Sequence, residues 1–275
     1  MKKFIVEKEI ILFDYLKEKL NNLSKNSVKN LLHDKYIYVN DVCITKYDYL
    51  LKINDVVSVK SSNELDIVYE DNDIIVVNKK EGLLTISTGK EKNNTLYNMV
   101  SNYVKRLNKK NKIFIINRID KDTSGIVMFA KSEKVKNMYQ DKWNNIVLGR
   151  HYYAIVEGKF KIKEGKIESY LFEDKNYIVH SCNDKNKGKL AITEYKVIKE
   201  KNNKTLLDIN IKTGRKNQIR VHMKENNTPI IGDNKYGIKR KGRMYLHAYK
   251  LEVINPKTNK KMIFETKIPN NFILQ

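Results

Sequence analysis

Asn117-Arg118-Ile119-Asp120-Lys121-Asp122-Thr123-Ser124-Gly125 is where side chains of the right type for chemistry gather most densely in this chain. The segment follows an apolar run, Ile113 to Ile116, that reads as a strand, and it precedes a second apolar run, Ile126 to Phe129. An aspartate in a polar loop at a strand end is both fixed and reachable. A carboxylate held and reachable in this way is a candidate for chemistry. Taken alone, the segment is better explained as an ordinary turn, because Asp122, Thr123 and Ser124 all form side-chain to backbone hydrogen bonds in turns.

Other chemistries find less support. There is no glycine-rich dinucleotide fingerprint, no H-E-x-x-H and no calcium loop. Gly237 to Arg243 has the glycine spacing of a phosphate-binding loop but ends Gly-Arg-Met, without the lysine and the hydroxyl such a loop needs. His33, His151, His180, His222 and His247 are dispersed without ligand spacing, so no metal is expected. Cys43 and Cys182 lie far apart and outside any C-x-x-C context, which fits a reducing cytoplasm. No pair of catalytic carboxylates can be defended, which disfavours a glycosidase, and the lack of a metal cluster disfavours a nuclease.

The elements that must hold these residues fall into two groups. Leu12, Phe13, Leu16, Leu20 and Leu23 recur at helical spacing, as do Val28, Leu31 and Leu32 after Ser24 to Ser27. Tyr36 to Val39 and Val42 to Ile44 flank the turn-prone pair Asn40-Asp41, and Val56 to Val59 is a further extended run. This predicts a small helix-helix-hairpin domain over residues 1–62, with Ser61, Ser62 and Asn63 as linker. Residues 63–275 are mostly strand: Ile74 to Val77, Ile113 to Ile116, Ile126 to Phe129, Tyr152 to Val156, Ile192 to Val197, Leu206 to Ile211 and Leu246 to Val253. Helices are expected over Leu96 to Leu107, Glu133 to Trp143 and Ile219 to Glu225. Without regular strand-helix alternation, the class is α+β.

Composition narrows the partner. Fifty-four Lys and Arg against 32 Asp and Glu give a net charge of +22 over 275 residues, an excess that a compact chain tolerates best beside an anion. Nucleic acid is the expected partner. An AT-rich coding bias toward Lys, Asn and Ile explains part of the charge but not the shortage of acids, and an anionic membrane surface is the weaker alternative. No signal peptide or membrane-length apolar run is visible, so a cytoplasmic location is expected.

The 117–125 segment closely resembles the H-R-L-D-x-x-T-S-G signature of the RluA family of RNA pseudouridine synthases, with Asn117 in place of His and Ile119 in place of Leu. Further segments match in the family's order. Glu70 to Gly82 resembles its opening strand and glycine turn, with Lys80 where Pro is usual. Arg150-His151-Tyr152-Tyr153-Ala154-Ile155-Val156-Glu157-Gly158 resembles K-x-Y-x-A-x-V-x-G, and Ala191 to Tyr195 resembles A-x-T-E-Y. Thr213 to His222 resembles T-G-R-T-H-Q-I-R-V-H with Asn217 in place of His, and Pro229 to Gly237 and Leu246-His247-Ala248 complete the set. Together these span residues 65 to 270. The first sixty residues are similar to an S4 RNA-binding domain.

The resemblance implies an S4-like domain followed by a mixed, mainly antiparallel pseudouridine synthase domain. It implies an isomerase that needs no cofactor and acts on structured RNA, large-subunit ribosomal RNA first and transfer RNA second. It makes Asp120 the catalytic nucleophile, Arg220 its salt-bridge partner, and Tyr152 the ring that stacks on the uracil and takes its C5 proton. Ile219 is a secondary candidate for the substrate pocket, equally well described as a buried helix residue. Arg118, Arg215, Lys25, Lys29 and Lys35 are candidate RNA contacts, as are Lys105 to Lys112 and Lys235 to Arg243. A monomer is expected. The rival from another class is a non-catalytic RNA-binding or ribosome-assembly factor on the same fold, suggested by the two His to Asn replacements.

Overall fold

A computed structural model describes residues 2–21, 23–33, 36–59, 65–88, 94–237 and 242–274. They belong to two compact units, Met1–Glu64 and Leu65–Gln275. The linker residues Ser61, Ser62 and Asn63, and Lys35, lie outside the described residues. No described helix is long and apolar enough to cross a membrane.

The smaller unit contains β1 (Lys2–Ile5), β2 (Ile10–Ile11), α1 (Leu12–Lys19), α2 (Lys25–His33), β3 (Ile37–Val39), β4 (Val42–Cys43), β5 (Leu50–Leu51) and β6 (Val56–Val59). Leu12 and Leu16 of α1 and Val28 and Leu32 of α2 share one core with the strands. Asn40 and Asp41 have φ of 49° and 63°, the left-handed pair that a two-residue hairpin turn requires. Strand β1, not anticipated from its short and partly charged sequence, forms by pairing with β6, which also pairs β3.

The larger unit runs β7 (Ile67–Glu70), β8 (Ile74–Lys79), α3 (Leu96–Leu107), β9 (Phe114–Ile115), β10 (Ser124–Ala130), α4 (Glu133–Asp141), α5 (Trp143–Ile146), β11 (Val147–Glu157), β12 (Glu164–Glu173), β13 (Val179–Cys182), β14 (Lys189–Lys201), β15 (Lys204–Ile211), α6 (Gln218–Glu225), β16 (Leu246–Ile254) and β17 (Lys261–Glu265). Eleven strands form one sheet in the order β13-β12-β14-β15-β11-β16-β10-β8-β7, with β17 added to β16 and β9 to β10. All of β10 is buried because both of its faces are covered. Val127 and Phe129 meet α3, and Ile126 and Met128 meet α4. Thr95 Oγ1 and Ser132 Oγ accept the backbone N–H of Asn98 and Val135 at the starts of α3 and α4.

Three expectations need correction. The strand expected over Ile113 to Ile116 shortens to Phe114–Ile115, because its neighbour β10 ends at Ala130 and, although Ile116 N–H still donates to Met128 O at 3.1 Å, the Asn117 carboxamide takes over as acceptor for Met128 N–H at 2.8 Å. The helix expected over Glu133 to Trp143 breaks at Lys142 into α4 and α5. Strands β12, β13 and β17 were not foreseen, since their polar residues hide the apolar signal and pairing with neighbours makes them strands.

Strands β10 and β16 form the one parallel pair of this sheet, joined at Ser124↔His247 and Gly125↔Ala248. The close approach needs a glycine. Gly125 has φ of 120°, and a Cβ there would lie 2.1 Å from the Ala248 carbonyl oxygen. Beside it, buried His247 meets Ser124 Oγ through Nδ1 at 2.8 Å and Thr266 Oγ1 through Nε2 at 2.8 Å.

Gly125→Ala should therefore destabilise the larger unit by about 2 kcal/mol or more, read as a lower unfolding midpoint in denaturant. A midpoint equal to wild type would refute the close approach. Burial, with Arg243 adding to it, pushes the His247 pKa down to about 4. Unfolded histidine near 6.5 binds protons first, so the stability from neutral His247 is complete above 6.5 and is lost as pH falls toward 4, by up to about 3 kcal/mol. Unfolding free energies of wild type and His247→Gln between pH 7 and 4 should show a shallower decline in the variant.

Candidate active site

The loop between β9 and β10 carries Asp120, and its backbone carbonyls are held one after another. Thr85 Oγ1 donates to Ile119 O at 2.8 Å, Thr123 N–H to Asp120 O at 3.3 Å, and Lys79 Nζ to Lys121 O at 2.8 Å. Lys79 is fully buried and also donates to Lys80 O and Leu83 O, so three carbonyls match the three N–H groups of an ammonium. Burial nevertheless pulls its pKa down to about 7, against the attraction of Asp122, Asp120 and Glu81. With its backbone fixed, Asp120 projects a carboxylate that remains one-third exposed.

Arg220 faces it from the first turn of α6. Its Nη1 lies 3.3 Å from Asp120 Oδ2 and donates to Asn217 Oδ1 at 2.9 Å. The stronger interaction is with Asp233, whose two carboxylate oxygens accept from Nε at 2.7 Å and Nη2 at 2.8 Å. The guanidinium fork that the sequence assigns to Asp120 is therefore taken by Asp233, and Asp120 receives a single N–H. Burial opposes both charges, but their mutual hydrogen bonds prevail: the Arg220 pKa is raised and the Asp233 pKa lowered. The Tyr236 ring lies 5.0 Å from the guanidinium carbon. Its hydroxyl oxygen accepts from Asn217 Nδ2 and from Val179 N–H.

Asn217 is thus part of the site. It caps α6 in the left-handed conformation (φ 55°), which asparagine tolerates, and its carboxamide bridges Arg220 and Tyr236. Gln218 secures the approach: its Oε1 accepts from Thr213 Oγ1 and Arg215 N–H, and its Nε2 donates to Ile192 O and Thr193 Oγ1. Sequence reasoning did not single out Asp233, Gln218, Tyr236 or Lys79 as site residues. The sequence signal for them was membership of matched segments: Asp233 and Tyr236 in Pro229 to Gly237, Gln218 in Thr213 to His222 and Lys79 in Glu70 to Gly82.

Asp120, Tyr152, Ile219 and Arg220 line one cavity of about 260 Å³, together with Trp143 and the arginines at 118, 150 and 215. Asp120 is the one acid among its described lining residues. The volume, near the low end of small-ligand pockets, suits a single base and not a duplex. Tyr152 comes from β11, where burial, reinforced by Asp120 and opposed by Arg150, pushes its phenol up to about 12. Ile219 belongs to the core and also lines the cavity. Arg150 Nη2 donates to Lys212 O at 2.8 Å, and Gly214 leaves room for this guanidinium, since a Cβ there would lie 2.5 Å from Nη1.

Of the candidate RNA contacts, Arg118 and Arg215 are exposed at this cavity, and Lys25 and Lys29 are exposed on α2 of the smaller unit. Lys105, Lys109, Lys110 and Lys112 are exposed. Arg243 is not available as expected. Its guanidinium pairs with Glu81 at 2.6 Å and donates to Ser124 Oγ at 2.8 Å, which leaves it 11% exposed. Residues 238–241 lie outside the described set. Among the described residues, no group of three His, Cys, Asp or Glu is placed to hold a metal ion.

Comparison with known proteins agrees with this geometry. Residues 73–225 match the family model for RNA pseudouridylate synthase. An uncharacterized RNA pseudouridine synthase of Mycoplasma genitalium is 31% identical over 94% of this chain and 89% of its own length. Ribosomal large subunit pseudouridine synthase D of Borreliella burgdorferi is 32% identical over 87% of this chain and 76% of its own. The structure of human RNA pseudouridylate synthase domain containing 1 superposes with a TM-score of 0.64 at 20% identity, over 76% of this chain and 85% of that one, a likeness of fold. An acid-bearing loop, a base-sized cavity and a matched stretch that holds the loop and all but one of the cavity's described lining residues lead to one conclusion: the chain belongs to the RNA pseudouridylate synthase family.

Proposed function

We propose that Asp120 is the nucleophile with which this RNA pseudouridine synthase isomerises uridine, and that its substrate is large-subunit ribosomal RNA. The observation that carries the reading is a single carboxylate, fixed by its backbone and touched by a buried guanidinium, in a base-sized cavity otherwise rich in arginine. The N1–C1′ bond breaks, the uracil turns, and a C5–C1′ bond forms, with the C5 proton lost and N1 protonated. Asp120 adds to the nucleotide and is released at the end. Arg220 orients it, and because Asp233 already satisfies the guanidinium, Arg220 does not have to hold Asp120 too tightly to react.

Tyr152 stacks on the freed uracil. A phenol held near 12 keeps its proton at neutral pH, so it accepts the C5 proton only as its own passes on. Ile219 packs against the base, and Arg118 and Arg215 meet the RNA backbone, since exposed guanidinium groups beside the cavity suit phosphate. The target base must leave its stack, which costs a few kcal/mol that these contacts offset.

The ordered motif matches support assignment to the RluA type. In the smaller unit, two helices followed by a hairpin, with Lys25 and Lys29 exposed, support an S4-like role in RNA capture for which Lys35 is also a candidate. Relatives named for the large ribosomal subunit support the substrate class.

Large-subunit ribosomal RNA treated with wild-type protein should gain pseudouridine at defined sites, and a folded wild type inactive on that RNA would refute the substrate. Asp120→Asn should abolish conversion while RNA affinity and unfolding midpoint stay near wild type. Tyr152→Phe, which keeps the ring, should lower kcat and leave KM unchanged. Asp233→Asn should behave differently from both, because it leaves the buried Arg220 with only the single, partly exposed Asp120 contact as counter-charge: a stability loss of about 3 kcal/mol is expected in denaturant unfolding.

A further inference from the structure

Beyond this cavity, the turn between β12 and β13 carries an unusual backbone conformation. Nine described residues other than glycine have positive φ, and seven are Asn and one is Asp. The ninth is Tyr177, with φ of 59°. A bulky side chain in this conformation is a genuine outlier, since the left-handed region crowds its Cβ. Tyr177 is also 73% exposed, more than any other described large hydrophobic residue of the chain. Burial therefore does not account for a ring at this strained position.

The turn is tightly built. Asp174 accepts the backbone N–H of Asn176 and Ile178 through Oδ1 at 2.9 Å each, and its Oδ2 lies 2.9 Å from His180 Nε2. The turn is also tied to the catalytic cavity from two sides. Lys235, two residues after Asp233, donates through Nζ to Tyr177 O at 2.7 Å. The Lys216 ammonium lies 5.7 Å from the Tyr177 ring centroid, and Lys216 sits between the cavity-lining residues Arg215 and Asn217. Val179 N–H reaches the Tyr236 hydroxyl that also receives Asn217. A solvent-exposed ring on a fixed turn, with the Lys216 ammonium, itself paired with Glu173, over one of its faces, has the chemistry of a nucleobase platform.

We infer that Tyr177 is a stacking platform for an unpaired RNA base flanking the target uridine. This rests on the proposed reading of the cavity as the site of uridine isomerisation. Stacking on an exposed aromatic tolerates any base, so Tyr177 holds the displaced strand in place without choosing its sequence. Backbone strain kept at an exposed position is consistent with retention of the ring for binding.

The test uses the full chain and an RNA that the wild type converts. Tyr177→Asn puts in the residue this chain uses at most of its other left-handed positions. It should unfold at the same or a higher temperature than wild type, while KM for the RNA rises roughly tenfold, the scale of one lost base-aromatic stack, and kcat is kept. Tyr177→Phe should retain wild-type KM. With 2-aminopurine placed in turn at the nucleotides on either side of the target, one position should show quenching by wild type that Tyr177→Asn abolishes. Unchanged KM and quenching in a folded Tyr177→Asn would overturn the platform while leaving the isomerase reading intact. A KM rise matched by Tyr177→Phe, or accompanied by a lower melting temperature, would assign Tyr177 a structural role and overturn it as well. Failure of the wild type to convert any uridine would instead overturn the reading of the cavity, and the platform with it.

Discussion

A guanidinium buried to the extent of Arg220, 9% exposed, persists only where its charge and its N–H groups are met, and Asp233 meets most of both. This pair sets the geometry of everything near it. Asp233 also accepts the backbone N–H of Lys235 and Tyr236, so the same carboxylate that neutralises Arg220 folds the loop beneath it. Tyr236 then covers the guanidinium and receives Asn217, closing a ring of contacts around α6. Asp120 occupies the one remaining approach to Nη1. Its single contact at 3.3 Å orients the carboxylate while leaving it one-third exposed.

The other constraint is the seam between β10 and β16. All other pairs in this sheet are antiparallel, and two residues from each strand make the parallel join. Gly125 permits it because no side chain intervenes before the Ala248 backbone. The Asp120 loop feeds directly into this seam, while Tyr152 lies on β11, which pairs β16 from the other side, opposite Ala248. The acid and the aromatic ring therefore share a cavity because one strand, β16, connects their two half-sheets. Gly232 serves the same end. Its φ is 78°, and a Cβ would lie 1.9 Å from the Arg243 carbonyl oxygen, so the Asp233 loop can lie close against the chain entering β16.

Electrostatically, the cavity is the +22 charge of the chain in miniature. Four arginines and one acid line it, but Arg220 is already paired through Asp233, which leaves the groups at 118, 150 and 215 to set the field. Such a field favours an anionic partner, and the Tyr152 ring lines the same cavity. Neither His to Asn replacement empties the site. Asn117 completes a strand ladder and Asn217 bridges Arg220 to Tyr236, so both carboxamides are hydrogen-bonded within the structure that holds the cavity.

By itself the sequence determined the chemical inventory: an aspartate in a polar loop, the order of the motif segments, the basic excess, the α+β class, two short helices whose apolar stripes begin at Leu12 and Val28, and the helix Leu96–Leu107. These were legible because helical spacing, turn residues and motif order are local properties. Strands such as β1, β12 and β17 were not, since a half-exposed strand exists through its partner and carries little signal of its own. The site divides in the same way. Asp120, Tyr152 and Arg220 could be named from their segments, but the tertiary structure decided that the fork of Arg220 belongs to Asp233, that Lys79 holds the Asp120 loop from below, and that Arg243 is occupied by Glu81 and Ser124. A buried charge takes whichever partner the packed chain brings within hydrogen-bonding distance, and that distance is set by contacts between residues far apart in sequence.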